Sequence, residues 1–417
     1  GGTHLPDITA ITPVFAGSAD PVAFVACRGH HVDVGGMTPG SMPPFSTSIG
    51  DEGLLLRHWP LVSNGQLLLE EWAQRLRAEC PAPRAPELLL ADLQAQVAAN
   101  QLGLEQLSAL MSSQGLARTQ TYMSRVQRNA ADAVSRVVRD LDDRHFAVEL
   151  DNGCRLCVSI TVNRERGTAL LDFSGTSAQG QHNFHAPLAV TKAAVLYCFR
   201  ALVPDPIPLN AGCFAPLELV VPRGCLLNPD PPAAVVAGNV ETSQALCNLL
   251  FGAMGVMAAA QGTMNNLSFG DAQRQYYETV AGGTGAGDGF AGADGVQSHM
   301  TNSRLTDPEI LEARFPVRLE RFAFRSGSGG AGRWCGGEGL VRRLRFLEPM
   351  TASLLAGSRR VAPFGLAGGG PGALGCNRLG LRDGSWQVLP ACAQVELQPG
   401  ELLELMTPGG GGYGPST

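Results

Sequence analysis

Two copies of a His-x-x-Asp pair lie near the start of the chain. His4 and Asp7 stand in "GGTHLPDITA", and His30 and Asp33 stand in "RGHHVDVGG". Neutral imidazoles together with carboxylates suit a divalent transition metal such as Zn, Mn or Fe. His4, Asp7 and His30 are the predicted ligands, because three protein ligands leave positions open for water or substrate, as a catalytic metal requires. His31 and Asp33 are then expected to orient them.

The alternative is that both pairs are surface turn residues, with carboxylates capping local backbone and solvated histidines. One His-x-x-Asp pair is a weak signal, and only the doubling strengthens it. The segments "ITAITPVF" and "PVAFVACRG" flank the turn sequence "AGSADP", so they predict two paired strands. Antiparallel pairing would bring the two His-x-x-Asp pairs side by side, because each lies at an outer end of one strand.

Other polar residues stand in apolar or Gly-rich stretches, where buried amides and carboxylates need partners and often line a cavity. Asp33 and Glu241 are candidates for a general base, and His299 is a further catalytic candidate. The candidates for substrate binding are Asn239, Asn265, Asn266 and Asn302. For each of them, helix capping or turn formation is the alternative interpretation.

Composition narrows the class of protein. The net charge is -6 with no block of like charges, so we expect neither nucleic acid nor a membrane as a partner. Eleven cysteines in mostly apolar contexts favour reduced thiols and a cytoplasmic location. Cys154 and Cys157 form a lone Cys-x-x-Cys in a strand-like segment, which favours two ordinary strand cysteines over a zinc or redox site.

The Gly-rich run "AGGTGAGDGFAGADG" fits neither the dinucleotide nor the Walker phosphate-loop pattern. We therefore expect no ATP site in this chain, and we expect the run to form a mobile loop or a set of tight turns.

Periodicity divides the chain into four regions of an α+β fold. We expect a metal-motif strand pair over 1–60, helices over 61–145 with a stop at Gly115, an α/β core over 146–263, and a β-rich, Gly-rich region over 264–417. The α/β core is expected to hold a β-meander followed by two buried helices.

Several motifs, in the same order and across nearly the whole chain, resemble the hydantoinase B family. They include "GGTHLPDITAITPVF", "RGHHVDVGGMTPGSMPP", "GNVETSQ", "YYETVAGGTGAG" and "TPGGGGYG". Within that family the chain is most similar to the C-terminal half of the ATP-dependent 5-oxoprolinases. The resemblance implies a mixed, multi-layer hydantoinase B-like fold, and it implies that an N-terminal part of the family domain is missing before Gly1.

The resemblance also implies a division of labour. A hydantoinase A-like ATPase partner would use ATP to phosphorylate a small cyclic amide, and this chain would complete ring opening, here from 5-oxo-L-proline to L-glutamate. An oligomeric assembly is expected. The related acetone carboxylase large subunit looks similar at both His-x-x-Asp pairs, which implies a metal at His4, Asp7 and His30.

Two other functions stay open. The chain is alternatively a hydantoin or N-methylhydantoin hydrolase subunit, or a non-catalytic assembly subunit for the ATPase partner. One departure from the family pattern is "NFHAP", in which His185 stands where relatives tend to carry an amide. No role is therefore transferred to that position.

Overall fold

The computed structural model describes residues 3–78 and 82–416, and its fold class is α+β, as the sequence predicts. The helices are α1 (Leu69–Ala78), α2 (Pro86–Gln114), α3 (Leu116–Arg139), α4 (Leu188–Ala201), α5 (Ser243–Ala253) and α6 (Pro308–Arg314). Short 3-10 turns span Pro39–Ser41, Ile49–Asp51 and Ala211–Phe214, and a π-helical turn spans Gly238–Thr242.

The strands fall into an N-terminal, a central and a C-terminal group. The first two groups are β1 (Asp7–Val14), β2 (Ala23–His30), β3 (Val62–Ser63), β4 (Gln66–Leu67), β5 (Arg144–Glu149), β6 (Arg155–Asn163), β7 (Thr168–Asp172) and β8 (Leu217–Val220). The third group is β9 (Asn266–Gly270), β10 (Gln275–Thr279), β11 (Val317–Arg325), β12 (Gly339–Phe346), β13 (Met350–Leu355), β14 (Cys376–Gly380), β15 (Trp386–Leu389), β16 (Cys392–Leu397) and β17 (Leu402–Met406).

The N-terminal hairpin rests on the long helix α2. Strands β1 and β2 pair antiparallel around the predicted turn, and α2 packs against both. Helix α2 begins at Pro86, whose fixed φ suits a first helical position. It ends where Gly115 adopts φ +81°, a conformation that favours glycine, and α3 follows directly. The structure thus has a strand pair within 1–60, and within 61–145 it has three helices, the break at Gly115, and the short strands β3 and β4.

The central group forms the largest apolar core. Strands β5, β6 and β7 make the predicted antiparallel meander, and β8 adds to β7 in parallel. Side chains from α3, α4 and α5 pack with this sheet in one buried cluster. Helix α5 ends at Ala253, earlier than its apolar pattern suggests, because Gly255 follows with φ +73°.

The C-terminal region holds two antiparallel sheets, as its β-rich sequence predicts. Their strand orders are β10-β9-β13-β16 and β11-β12-β17-β14-β15, and the two sheets share one apolar core. A buried ion pair joins them, since Arg342 of β12 donates to Glu278 of β10 through Nε at 2.6 Å and Nη2 at 2.9 Å. Such a pair is stable only when both charges are satisfied together.

Four Gly-rich segments pack against one another instead of forming a mobile loop or isolated turns. Gly410 N donates to Gly337 O, Gly337 N donates to Thr284 O, and Gly330 N donates to Gly410 O, at 2.8 to 2.9 Å. A Cβ on Gly410 would lie 1.8 Å from Thr284 O. Glycine is required here because the backbones approach too closely for a side chain. The segments span residues 281–295, 326–338, 363–373 and 407–414.

In the part of the chain that the structure describes, none of the helices combines the length and the apolar character needed to cross a membrane. Cys154 and Cys157 are both free thiols, Cys157 within β6 and Cys154 just before it. This arrangement agrees with their interpretation as ordinary strand cysteines.

Candidate metal centre

The hairpin places the predicted ligands side by side. Asp7 is the first residue of β1 and His30 is the last residue of β2, and the two are direct partners in the antiparallel ladder. His4 lies in the turn before β1, where Asp7 N donates to His4 O at 3.2 Å. The expected convergence of His4, Asp7 and His30 follows from this register.

Asp7 lies between the two imidazoles. Its Oδ1 is 3.2 Å from His30 Nδ1, and its Oδ2 is 3.3 Å from His4 Nδ1. One ligand atom from each of the three residues lies within 4.8 Å of the other two. The His4 side chain is 3% exposed and the His30 side chain is 29% exposed, so the cluster faces solvent on the His30 side.

The electrostatics make Asp7 the negative centre of the cluster. Burial would raise the pKa of Asp7, but its hydrogen bonds with His30 and His4 outweigh burial and hold that pKa well below its usual range. Burial lowers the pKa of His30, against the opposite effect of Asp7.

A polar wall lies behind His30. The Tyr277 ring stacks on His30 with centroids 5.0 Å apart, and the Tyr277 hydroxyl donates to Asn266 Oδ1 at 2.8 Å. Asn266 Nδ2 in turn donates to Glu241 Oε1 at 2.8 Å. Asn239 Nδ2 lies 3.4 Å from His4 Nδ1. Of the four predicted substrate-binding amides, Asn239 thus contacts the cluster directly and Asn266 contacts it through Tyr277.

Helix α2 supports the hairpin from the other side. Gln96 Nε2 donates to Ile8 O at 2.9 Å and to Cys27 O at 3.3 Å, one carbonyl on each strand. His31 Nε2 lies 3.2 Å from Gln96 Oε1. His31 is therefore bound to the helix behind the hairpin, and its predicted role of orienting the ligands directly is not seen.

Asp33, predicted to orient the ligands or act as a base, is hydrogen-bonded to the surrounding backbone and to Arg84. Its Oδ1 accepts from Gly35 N at 2.9 Å and Arg84 N at 3.0 Å, and its Oδ2 accepts from Gly40 N at 3.0 Å and Arg84 Nη1 at 2.8 Å. Both oxygens are buried and occupied, so Asp33 holds the loop after β2 and the segment before α2.

Glu241 lies behind Asn266, on the side away from the cluster. It stands in the π-helical turn before α5, and its Oε1 accepts from Thr263 Oγ1, Met264 N and Asn266 Nδ2. Its Oε2 is buried without a hydrogen-bond partner among the described residues. Complete burial raises the pKa of Glu241 to about 8. The predicted base is therefore a neutral acid at pH 7, separated from the cluster by Asn266 and Tyr277.

The remaining candidates lie away from the cluster. Asn265 is buried, and its Nδ2 donates to Val280 O at 3.0 Å, so it supports the backbone. His299 Nδ1 lies 3.1 Å from the Tyr197 hydroxyl, and burial lowers the pKa of His299 to about 4. Asn302 is exposed. None of these three is hydrogen-bonded to a cluster residue within residues 3–78 and 82–416.

His185, the departure from the family pattern, is a satisfied core histidine. It is fully buried, its Nδ1 lies 2.8 Å from Ala234 O, and its Nε2 accepts from Gly180 N at 3.1 Å.

Sequence reasoning missed Tyr277, although strand alternation carries a signal for it. Its neighbours Tyr276 and Glu278 hydrogen-bond to each other on the side of β10 that faces Arg342. Tyr277 must point to the opposite face because side chains alternate along a strand. The residue between Tyr276 and Glu278 is thus the one that reaches His30.

The donor set fits a divalent transition metal. Two imidazoles and one carboxylate converge at the end of a hairpin, and the group is the one metal-competent cluster of His, Cys, Asp and Glu found among the described residues. Three protein ligands are the number that catalytic sites use when they keep a position open.

Comparison with known proteins identifies the family and agrees with the fold. The family model described as Hydantoinase B/oxoprolinase matches residues 1–416. The sequence is 44% identical over 438 residues to 5-oxoprolinase 1 of Arabidopsis thaliana, covering 99% of this chain and 34% of that protein. It thus spans about a third of the length of this relative and of the 5-oxoprolinase of Dictyostelium discoideum.

Two solved structures share the fold. The ATP-dependent caprolactamase of Pseudomonas jessenii superposes with a TM-score of 0.85 at 24% identity, covering 99% of this chain and 75% of that chain. An acetone carboxylase in its nucleotide-free state superposes with a TM-score of 0.87 at 18% identity, covering 99% and 63%.

Proposed function

The chain belongs to the hydantoinase B/oxoprolinase family, and from this premise we propose that it is the hydrolytic part of an ATP-dependent enzyme that opens a cyclic amide. The observation that carries the proposal is the convergence of His4, Asp7 and His30 at one end of the hairpin. The identity of 44% to a 5-oxoprolinase supports 5-oxo-L-proline as substrate and L-glutamate as product.

The activating step is assigned to a hydantoinase A-like ATPase partner. An unactivated lactam carbonyl needs an electrophilic push before water attacks it, which phosphorylation would provide. The Gly-rich run of this chain is engaged in backbone hydrogen bonds with the other Gly-rich segments. That engagement supports the assignment of ATP to the partner.

His4, Asp7 and His30 would hold the divalent metal. When bound, such an ion polarises a carbonyl and lowers the pKa of a bound water. Tyr277 restricts the ring orientation of His30 by stacking on it, and Asn266 fixes Tyr277 through its hydroxyl. Asn239 is placed to orient His4 or to donate to a substrate oxygen at the cluster.

Metal binding and coupled turnover test this proposal together. Zn²⁺ and Mn²⁺ are titrated separately by calorimetry into the wild-type chain, into His30→Ala and into His145→Ala. His145 is an exposed histidine on β5 and serves as the matched control. We expect His30→Ala to lose metal affinity by more than tenfold, and turnover with the ATPase half to fall by orders of magnitude. His145→Ala should match the wild type.

The turnover assay also separates the alternatives. Purified chain is assayed with ATP, with and without the ATPase half, on 5-oxo-L-proline and on hydantoin in parallel. If hydantoin is opened and 5-oxo-L-proline is not, the result would favour the hydantoinase function. Full coupled turnover by His30→Ala with unchanged metal content would refute the metal assignment and favour an assembly role.

A further inference from the structure

The exposed face of the β1–β2 hairpin continues past the cluster. Asp7 and His30 are ladder partners whose side chains contact each other, so both point to this face. The next position of β2 on the same face is Arg28, because side chains alternate along a strand. A Cβ on Gly29 would lie 3.4 Å from Gln96 Nε2, so the opposite face is the one that packs on α2. Arg28 therefore lies on the solvent side of the hairpin, beside the cluster.

The hairpin holds Arg28 through one nitrogen and leaves the rest of its guanidinium free. Arg28 Nε donates to the hydroxyl of its ladder partner, Thr9 Oγ1, at 2.9 Å. Among all the residues that the structure describes, none accepts a hydrogen bond from either Nη of Arg28, and no carboxylate pairs with it. Asp7, the carboxylate of the neighbouring ladder pair, is engaged by His4 and His30 instead. Both Nη groups are thus available to a ligand.

We propose that Arg28 forms an anion subsite beside the cluster, which binds a carboxylate or phosphoryl group of the compound whose carbonyl reacts there. The guanidinium is a planar fork of N–H donors that matches two oxygens of such a group. Arg28 and His30 are two residues apart in β2, about 6.8 Å along the strand, so one small molecule can contact both. The inference rests on the function proposed above for the place of the reacting carbonyl, and it adds the residue that selects an anionic compound.

A purely structural cross-strand pair is the competing explanation for Arg28. The hairpin does not depend on such a pair, because Gln96 already ties the backbones of both strands to α2. Beyond Arg28 the same face is apolar, with Ile11 and Phe24 each 64% exposed. Arg28 is also the one Lys or Arg residue in β1 and β2. The hairpin thus places its single permanent positive charge next to the cluster, where an anionic group of a bound compound would meet it.

Three small probes test the subsite without ATP or the ATPase half. 5-Oxo-L-proline carries a carboxylate, 5-oxo-L-prolinamide carries a neutral amide on the same ring, and inorganic phosphate carries the phosphoryl oxygens alone. Each probe is titrated by ligand-observed NMR, with stoichiometric Zn²⁺ present, into the wild-type chain, Arg28→Gln, Arg28→Lys and Arg128→Gln. Arg128 is an exposed arginine on α3 and serves as the matched control, so its variant should bind all three probes as the wild type does.

The probes distinguish the two sources of the anionic group. If Arg28 binds the carboxylate, the wild type should prefer 5-oxo-L-proline to the amide at least about tenfold, and Arg28→Gln should bind both equally. If Arg28 binds the phosphoryl group, Arg28→Gln should weaken phosphate binding at least about tenfold and leave the ratio between the ring compounds unchanged. Either result supports the subsite. Arg28→Lys keeps the charge without the planar fork, so its affinity should lie between those of the wild type and Arg28→Gln.

Zn²⁺ calorimetry and urea unfolding separate ligand binding from a structural role. Arg28→Gln should keep the Zn²⁺ affinity and the unfolding midpoint of the wild type, because Arg28 is exposed. The subsite would be overturned if Arg28→Gln changed neither the carboxylate preference nor the phosphate affinity. It would also be overturned if this variant lost all three probes together with Zn²⁺. The proposed function fails separately, when the wild type with the ATPase half opens no cyclic amide although its anion preference is intact.

Discussion

Replacing Gly410 by alanine should unfold the Gly-rich packing, because the new Cβ has no room. It would lie 1.8 Å from Thr284 O and 2.2 Å from the Thr284 carbonyl carbon, both backbone atoms that cannot rotate away. Relief needs a backbone shift of more than about 1 Å, which breaks the bonds from Gly410 N to Gly337 O and from Gly330 N to Gly410 O. Each broken bond leaves one buried donor and one buried acceptor unpaired at about 1 to 3 kcal/mol each, so the four groups cost about 4 to 12 kcal/mol.

That loss is comparable with the whole stability of an ordinary domain, about 5 to 15 kcal/mol. Thermal and urea unfolding of Gly410→Ala should therefore show a large loss of stability or no soluble protein. Gly50→Ala is the matched control, because the nearest atom to its Cβ is 3.8 Å away and its φ is ordinary. Equal unfolding midpoints for the two variants would refute the close-packing argument.

Four further substitutions probe the buried polar groups. Tyr277→Phe should keep the stacking on His30, so the Zn²⁺ affinity measured by calorimetry should change less than tenfold. The lost hydroxyl hydrogen bond should lower the free energy of unfolding by about 1 to 3 kcal/mol. A complete loss of metal binding would contradict this. Burial raises the pKa of Glu52 to about 7, so the folded protein holds a proton between pH 4.5 and 7 that the unfolded chain releases, and stability falls as pH rises through that window. Glu52→Gln should lose this contribution, up to about 1.4 kcal/mol per pH unit, so identical pH slopes in urea unfolding would argue against it. Glu278→Gln should lower the free energy of unfolding by about 3 to 5 kcal/mol in the same assay, because it leaves the Arg342 charge uncompensated. Adding Arg342→Met should recover part of that loss. A double variant less stable than Glu278→Gln would argue against the role of this ion pair.

The elements that carry the cluster are predictable because their signals are local. Two β-rich runs around a Gly/Ser/Asp/Pro turn specify a hairpin, and the hairpin alone brings Asp7 opposite His30. Gly115 similarly marks its own helix stop through a positive φ. The same local reasoning predicted the meander of the central sheet.

The Gly-rich segments were predicted wrongly because glycine has no side chain to show periodicity. The hydrogen-bond partners of Gly410 are Gly337 and Gly330, which lie far away in the sequence, so a local pattern cannot indicate them. The roles of the buried acids were hidden for a related reason. Glu241 is separated from the cluster by Asn266, which belongs to strand β9 and lies 25 residues further along the chain.

The two His-x-x-Asp pairs have the same spacing, but their aspartates have different positions in the structure. Asp7 lies inside the strand ladder opposite His30, whereas Asp33 lies three residues past the end of β2, where no ladder partner holds it at the cluster. Asp33 instead binds Arg84 through both its backbone N–H and its guanidinium. Arg84 lies two residues before the start of α2, the helix that carries Gln96 to the carbonyls of both hairpin strands. The second aspartate thus supports His30 from behind, by fixing the helix on which the hairpin rests.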